Sequence, residues 1–141
     1  DGLKVIEYNA RFGDPETQAL MMLLDSDLLQ IAKAIDTETL SDDLVRFKNG
    51  SAVCTILATP GYPLSPITGQ TIYGLEAIGN PNVQVFHAGT KYKNGKIKTS
   101  GGRVLGVTGF GPTRQSAREA SIESASKIIF KGKQMRTDIG V

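Results

Sequence analysis

The 141-residue chain is 40% hydrophobic and 21% charged, an ordinary globular composition that excludes wholesale disorder. No apolar run approaches the roughly 20 residues that span a bilayer. One cysteine and one histidine exclude an internal disulfide, a cysteine-built zinc site and a multi-histidine metal centre. Residues 1–50 have a net charge of −5 and residues 51–141 of +7. The acidic N-terminal part could bind a divalent cation, and the basic C-terminal part could bind phosphates or nucleic acid. Two solvated faces would give the same pattern.

The first fifty residues predict one strand and two helices. Residues 4–8 alternate in polarity and are rich in β-forming types, which indicates a strand. A helix is predicted to follow, with Asp14 as its N-cap and its end near Leu24. A second helix, capped by Ser26-Asp27, runs to about Ile35. The polar segment after it is predicted to be a connection with a short helix near residues 42–45.

From residue 51 onward the pattern changes to short strands and one long helix. Strands are predicted at residues 51–58, 71–73, 83–87, 92–97 (a hairpin turning at Asn94-Gly95) and 103–108. Thr113 is predicted to cap a helix that ends near Lys131, with Gly132 as its stop. Its small-residue apolar face comprises Ala117, Ala120, Ser124, Ala125, Ile128 and Ile129. This order predicts an α+β fold with a boundary near residue 48.

Five polar residues within ten positions of the front segment are candidates for chemistry. Glu7 and Asn9 lie two apart on the predicted strand, so their side chains leave the same face and can share a hard cation such as Mg²⁺. The same pair also fits the solvent face of an edge strand. Arg11 can clamp a phosphate or carboxylate. Asp14 and Glu16 add two carboxylates, although helix capping alone would explain Asp14.

The front segment and four later blocks resemble one known family. Residues 5–18 (VIEYNARFGDPETQ) are similar to the motif that closes the ATP-grasp domain of phosphoribosylamine–glycine ligases, also called glycinamide ribonucleotide synthetases. The resemblance continues, in the family's order, in GYP (61–63), VFHAGT (85–90), GGRVLGVT (101–108) and RTDIG (136–140). Together these blocks resemble the C-terminal third of such an enzyme.

The resemblance implies a fold and a domain division. Residues 1–48 would be the terminal strand and helices of the ATP-grasp domain. Residues 49–141 would be a small antiparallel, half-barrel-like domain with one long packed helix. The chain opens on Asp1-Gly2 without an initiator Met, which indicates a piece of a larger protein. We therefore expect it to lack the substrate domain, the glycine-rich flap, the ATP-holding lysines and the adenine pocket, and to be inactive alone.

The resemblance also implies an activity and roles for the candidate residues. The family joins phosphoribosylamine to glycine through a glycyl phosphate, cleaving ATP to ADP and phosphate, in purine biosynthesis. Glu7 and Asn9 would bind Mg²⁺ or Mn²⁺ bridging the ATP phosphates, and Arg11 would lie near the transferring phosphate. Asp14 and Glu16 would face the acceptor pocket. The expected partners are ATP, glycine, phosphoribosylamine and the rest of the ligase, in the cytoplasm, with no nucleic acid and no membrane.

Two other readings stay open, and three weaker signals have simpler explanations. The chain could belong to another ATP-grasp ligase or carboxylase, or it could be a non-catalytic module that docks a partner through its basic hairpin. A severed front strand also predicts self-association. Gly109 and Gly111 lack the context of a dinucleotide-binding loop and suit close packing. His87 is predicted to be structural on a buried strand, and Cys54 to be a small core residue.

Overall fold

The computed structural model describes residues 2–141 and contains three α-helices and five strands. The helices are α1 (Glu16–Leu23), α2 (Leu28–Asp36) and α3 (Arg114–Lys127). The strands are β1 (Ser51–Ala58), β2 (Val83–His87), β3 (Thr90–Lys93), β4 (Lys96–Thr99) and β5 (Arg103–Gly111). Two 3₁₀ turns, Asp42–Leu44 and Leu75–Ala77, lie in the connections. The fold is α+β, as the sequence predicts.

An antiparallel sheet in the order β1-β5-β2 forms the centre of the fold. β5 pairs with β1 from Gly111 opposite Ser51 and with β2 from Gly109 opposite Val83. Residues 104–109 of β5 are all buried, because strands flank it on both sides and helices cover the sheet. β5 is therefore the strand on which the rest of the domain is assembled.

Helix α3 packs on one face of this sheet at very short range. A Cβ atom on Gly109 would lie only 2.6 Å from the Ser121 amide nitrogen, so glycine is required for the helix to approach. Ser121 Oγ donates to the Val107 carbonyl at 2.8 Å and lies 2.7 Å from Thr55 Oγ1. The apolar core on this side comprises Leu57, Ile72, Val104, Leu105, Val107, Ala125, Ile128 and Phe130.

Helix α1 lies near β1 and β5, on the sheet face opposite α3. On β1 the residues facing α3 are buried, whereas Cys54 and Ile56 point to the opposite face and are half-buried. Gln18 of α1 reaches the same region and lies over Gly106. The front segment is therefore attached to the sheet through α1, and this second face is less completely covered than the first.

Strands β3 and β4 form a separate hairpin with its lysines on one face. Lys91 is opposite Lys98 and Lys93 is opposite Lys96, so two like-charged pairs stand side by side. Asn94 and Gly95 at the turn both have positive φ angles, of 53° and 71°. This is the tight turn that the Asn-Gly dipeptide predicts.

Several expectations for the ends of elements are confirmed. Asp27 caps α2 by accepting hydrogen bonds from the Leu29 and Gln30 amides at 2.8 and 3.2 Å. Thr113 caps α3 reciprocally with Ser116. β1 has its predicted bounds, and the short turn of helix near residue 42 is present.

Other expectations are wrong, and each has a physical reason. Residues 4–8 form no strand: Leu3, Ile6 and Tyr8 are almost fully exposed, because no neighbouring strand within residues 2–141 completes their hydrogen bonds. Residues 71–73 contribute two isolated bridges rather than a strand.

Helix α3 also ends four residues before its predicted end. Ile128 is extended because it and Phe130 enter the core, and Ile129 between them points to solvent and bridges backbone to backbone with Tyr73. Gly132 lies in the following turn at φ 73° and does not stop the helix. Within the described residues, no helix combines the length and apolar composition needed to cross a membrane.

Candidate functional site

Glu7 and Asn9, the residues expected to bind a cation, contact each other in the exposed segment ahead of α1. The Asn9 side-chain amide donates a hydrogen bond to Glu7 Oε1 at 3.2 Å. Glu7 keeps a second carboxylate oxygen and Asn9 keeps its carbonyl oxygen as ligands for a hard cation. These donors fit Mg²⁺ or Mn²⁺ where substrate phosphates supply further oxygens.

Clusters of ionisable metal ligands are absent from the described part of the chain. In residues 2–141, no three side chains of His, Cys, Asp or Glu come together in an arrangement that could hold a metal ion. The Glu7–Asn9 pair can therefore be only part of a coordination sphere. Other ligands have to come from a substrate, from water or from elsewhere.

Arg11, Asp14 and Glu16 lie on one polar turn that leads into α1, and each has its own local contact. Arg11 donates to the Phe12 carbonyl at 2.8 Å. Asp14 Oδ1 accepts a hydrogen bond from Gln18 Nε2 at 2.9 Å. The Glu16 carboxylate folds back over Gly13, where a Cβ atom would lie 2.9 Å from Glu16 Cδ. Glycine at position 13 thus leaves room for the Glu16 side chain.

Asp14 does not cap α1, contrary to the expectation from sequence. Pro15 holds the N-cap position, and no side chain caps this helix. The Asp14 carboxylate is instead directed sideways, where its Oδ2 lies 3.3 Å from the Arg103 guanidinium. Because Pro15 occupies the N-cap position, Asp14 lies outside the helix, and its carboxylate is within reach of Arg103.

Arg103, the first residue of β5, connects this turn to the sheet. Its Nε donates to the Tyr62 hydroxyl at 2.8 Å, and its NH1 group donates to the Asp14 carbonyl oxygen in addition to the ion pair. The hydrogen bond to Tyr62 raises the pKa of the Arg103 guanidinium above its ordinary value, and Asp14 adds to the effect. The group is therefore a permanent cation at this position.

A cavity of about 500 Å³ opens between the polar turn, β1 and the C-terminal segment. Its wall combines apolar side chains with two arginines. The lining residues are Pro15, Cys54, Ile56, Ala58, Tyr62, Arg103, Gln134, Met135, Arg136 and Ile139. Burial raises the pKa of the Cys54 thiol, so Cys54 lines the cavity as a neutral group near neutral pH.

A smaller recess of about 360 Å³ lies between α1 and the end of β2. Gln18 Oε1 and His87 are part of its surroundings, and Gln18 Oε1 is buried without a hydrogen-bond partner. His87 is exposed, with Nδ1 2.9 Å from Thr90 Oγ1, so the expectation of a buried histidine is wrong. His87 is the last residue of β2, which is an edge strand of the sheet, and its side chain is therefore exposed to solvent.

The sequence analysis did not identify Tyr62 or Arg103 as residues of this site. A signal was present, because Arg103 follows two glycines and a Cβ atom on Gly102 would collide with the Tyr62 ring. Glycine before an arginine indicates close approach of the backbone to another group. The identity of that group required the fold.

Comparison with known proteins gives one consistent family. The family model described as "Phosphoribosylglycinamide synthetase, C domain" matches residues 52–141. A phosphoribosylamine–glycine ligase from Caldanaerobacter subterraneus is 45% identical over 139 residues, which are 99% of this chain and 33% of that protein. The trifunctional purine biosynthetic protein adenosine-3 of Gallus gallus is 40% identical over 141 residues, or 99% of this chain and 14% of that protein.

A solved structure shows the same fold. The crystal structure of phosphoribosylamine–glycine ligase from Thermotoga maritima matches with a TM-score of 0.78 and 36% identity, covering 95% of this chain and 32% of that one. The chain spans about a third of the length of the single-function ligases it matches. Because the family model covers well over half of the residues, the chain belongs to the phosphoribosylglycinamide synthetase family, and its match includes the family's C domain.

Proposed function

We propose that this chain is the C-terminal part of an ATP-dependent ligase that joins glycine to phosphoribosylamine, releasing ADP and phosphate. The observation that carries the proposal is its similarity, over 99% of its length, to proteins named phosphoribosylamine–glycine ligase. The reaction would pass through a glycyl phosphate, which the amine of phosphoribosylamine attacks. The whole protein would act in purine biosynthesis.

Under this proposal, Glu7 and Asn9 hold the cation that accompanies the ATP phosphates. They are in contact, and they offer one carboxylate and one amide oxygen to a hard cation. When bound, Mg²⁺ or Mn²⁺ would neutralise negative charge on the phosphates. The Glu7 and Asn9 side chains would fix its position, and their contact would keep the two ligands together before it arrives.

In the same reaction, Arg11 would lie near the transferring phosphate, and Asp14 and Glu16 would face the acceptor pocket. Arg11 presents an exposed guanidinium that can bind a phosphate or carboxylate oxygen. Asp14 and Glu16 can attract an ammonium group, such as that of glycine, and Arg103 fixes the direction of the Asp14 carboxylate. All three residues lie on the turn that leads into α1, and each has its own local contact.

The proposal includes a division of the chain and a set of partners. Residues 1–48 would be the end of an ATP-grasp domain, and residues 49–141 a C-terminal domain whose sheet is part of a half-barrel. The second sheet face and the exposed apolar side chains before α1 would contact the rest of the ligase. ATP, glycine and phosphoribosylamine would bind between these parts.

The test is ADP release by the full-length protein with phosphoribosylamine, glycine and Mg·ATP. Glu7→Gln keeps the size of the side chain and removes its charge. Activity at low Mg²⁺ should fall by at least about 10- to 100-fold, the cost of losing even an indirect metal contact, and should recover in part as Mg²⁺ is raised. Glu119→Gln on α3, also an exposed glutamate, is the matched control and should behave as wild type.

The outcomes separate the parts of the proposal. No turnover of wild-type protein with glycine would exclude this ligase reaction and favour another ATP-grasp acceptor. Turnover that Glu7→Gln leaves unchanged would keep the reaction and remove Glu7 from the cation site. A loss that added metal does not reduce would assign Glu7 a different role.

A further inference from the structure

Arg103 stands out because its contacts join the polar front turn to the C-terminal domain. It is the first residue of β5, and its partner Asp14 precedes α1 by two positions. Among the described residues, the other two ion pairs, Lys127–Glu123 and Arg136–Asp138, join near neighbours in sequence. Arg103–Asp14 is therefore the one ion pair there that connects distant parts of the chain.

Tyr62 holds the guanidinium through a hydrogen bond that involves neither the backbone nor the carboxylate of Asp14. Tyr62 accepts a hydrogen bond from Nε at 2.8 Å, and its ring lies 6.0 Å from the guanidinium carbon. Gly102 lets this ring pack against the backbone next to Arg103, because any Cβ there would collide with it. Tyr62 thus sets the orientation of the arginine fork.

Two different atoms of Asp14 then bind the same end of the fork. NH1 donates to the Asp14 main-chain carbonyl oxygen and lies 3.3 Å from its carboxylate Oδ2. Gln18 Nε2 fixes the other carboxylate oxygen at 2.9 Å. Both the backbone and the carboxylate of Asp14 are consequently fixed. Arg11 and Glu16 lie on the same turn.

Stability alone is a poor explanation for this arrangement. The Arg103 and Asp14 side chains are 38% and 47% exposed. Ion pairs at such exposure contribute little to folding because water competes for both partners. The main effect of these contacts is to fix the direction of the Asp14 carboxylate, and their contribution to folding stability is small.

We infer that Arg103, oriented by Tyr62, is a positioning residue that holds the Asp14 carboxylate toward the ammonium group of the acceptor substrate. The inference rests on the proposed function, which places Asp14 at the acceptor pocket. Arg103 acts through Asp14 and need not touch the substrate. Its loss should therefore weaken the use of glycine without weakening the use of ATP.

The experiment uses the full-length ligase with Arg103→Met, Arg103→Ala, Arg103→Lys and Tyr62→Phe. Arg103→Met should lower kcat/KM for glycine by about 10- to 100-fold, the cost of a misplaced group. KM for ATP should stay within about twofold of wild type. Arg103→Lys should recover only part of the loss, because one ammonium cannot bind Tyr62 and Asp14 in the fork geometry. Added methylguanidine should partly rescue Arg103→Ala.

Arg114→Met is the matched control, since Arg114 is an exposed arginine at the start of α3. It should match wild type in every rate and in melting temperature. Equal losses for all substrates, together with a lower melting temperature, would assign Arg103 a structural role and overturn the inference. Unchanged glycine kinetics would overturn it as well. If Arg103→Met does not fold, Tyr62→Phe decides, because it keeps the ring and removes only the hydroxyl.

A second readout does not depend on the reaction. In wild-type protein, the guanidinium N–H groups of Arg103 should give separate NMR signals because rotation of the group is restricted. Asp14→Asn should merge them. Merged signals in wild type would show a mobile guanidinium and refute the positioning role. Failure of wild type to turn over glycine would refute the proposed function. The separate N–H signals would then still test whether Arg103 is held by Tyr62 and Asp14.

Discussion

The close approach of α3 to β5 makes Gly109→Ala a sharp test of the packing. A new Cβ would lie 2.6 Å from the Ser121 amide nitrogen and would also meet the Ala117 carbonyl oxygen. Both are backbone atoms of a helix, so no side chain can rotate away. Ordinary contact begins near 3.4 Å, and the Ala117 oxygen is closer to the new Cβ than the Ser121 nitrogen is. Helix α3 therefore has to move by roughly 1 Å at this point.

The cost follows from what that movement disturbs. Overpacking in a core costs about 1–3 kcal/mol. The same movement lengthens the 2.7 Å Thr55–Ser121 hydrogen bond to roughly 3.7 Å, which removes about 0.5–1.5 kcal/mol. Alanine regains about 0.5–1 kcal/mol through lower chain entropy in the unfolded state. Together these ranges give a net loss of about 0.5–4 kcal/mol, centred near 2 kcal/mol, which corresponds to a melting temperature lower by about 4–8 °C.

Urea unfolding followed by circular dichroism measures this loss, with Gly79→Ala as the control. A Cβ on Gly79 meets nothing within 4 Å. That variant should therefore equal wild type or be more stable by up to about 1 kcal/mol. The smallest overpacking cost is about 1 kcal/mol. If the free energy of unfolding of Gly109→Ala is within about 0.5 kcal/mol of the wild-type and Gly79→Ala values, α3 is not packed this closely on β5 and the reasoning fails.

Two further predictions concern buried groups. Ser121→Ala should destabilise the chain by about 1–3 kcal/mol because it leaves the Thr55 hydroxyl unpaired, whereas Thr55→Val should cost under about 1 kcal/mol because Ser121 still donates to Val107; equal losses in urea unfolding would contradict this. Because burial raises the pKa of Cys54, iodoacetamide should react with the folded chain only at a higher pH than with the unfolded chain. By the same linkage, the stability from the neutral thiol is complete below the unfolded pKa and declines as pH rises through and above it.

Much of the fold was predictable because local signals agree with tertiary packing. The Asn-Gly turn, the Asp27 and Thr113 caps and the β1 bounds follow from local chemistry that the fold preserves. The end of α3 was not predictable in this way. Ile128 leaves the helix because the core accepts its side chain, and helical periodicity contains no information about that contact.

The candidate site was predictable in composition but not in geometry. The sequence identified Glu7 and Asn9 as a pair, and their side chains are in contact, but the strand expected to carry them lacks a neighbour in residues 2–141. Asp14 shows the limit most clearly. Local preference predicts that Asp14 caps α1, but in the fold Asp14 contacts Arg103, which is 89 positions away in sequence. Their functional roles, and the self-association and inactivity expected of the chain alone, stay predictions.

The paired lysines of the β3–β4 hairpin have a consequence for behaviour at high protein concentration. Within residues 2–141, no strand pairs with the outer side of β3, so its amide and carbonyl groups are available to pair with another copy of the chain. A second hairpin arriving there would bring its own four ammonium groups alongside Lys91 and Lys93. The resulting repulsion keeps copies apart at low ionic strength, and salt weakens it. The hairpin thus tolerates unfavourable internal charge and in return resists edge-to-edge aggregation.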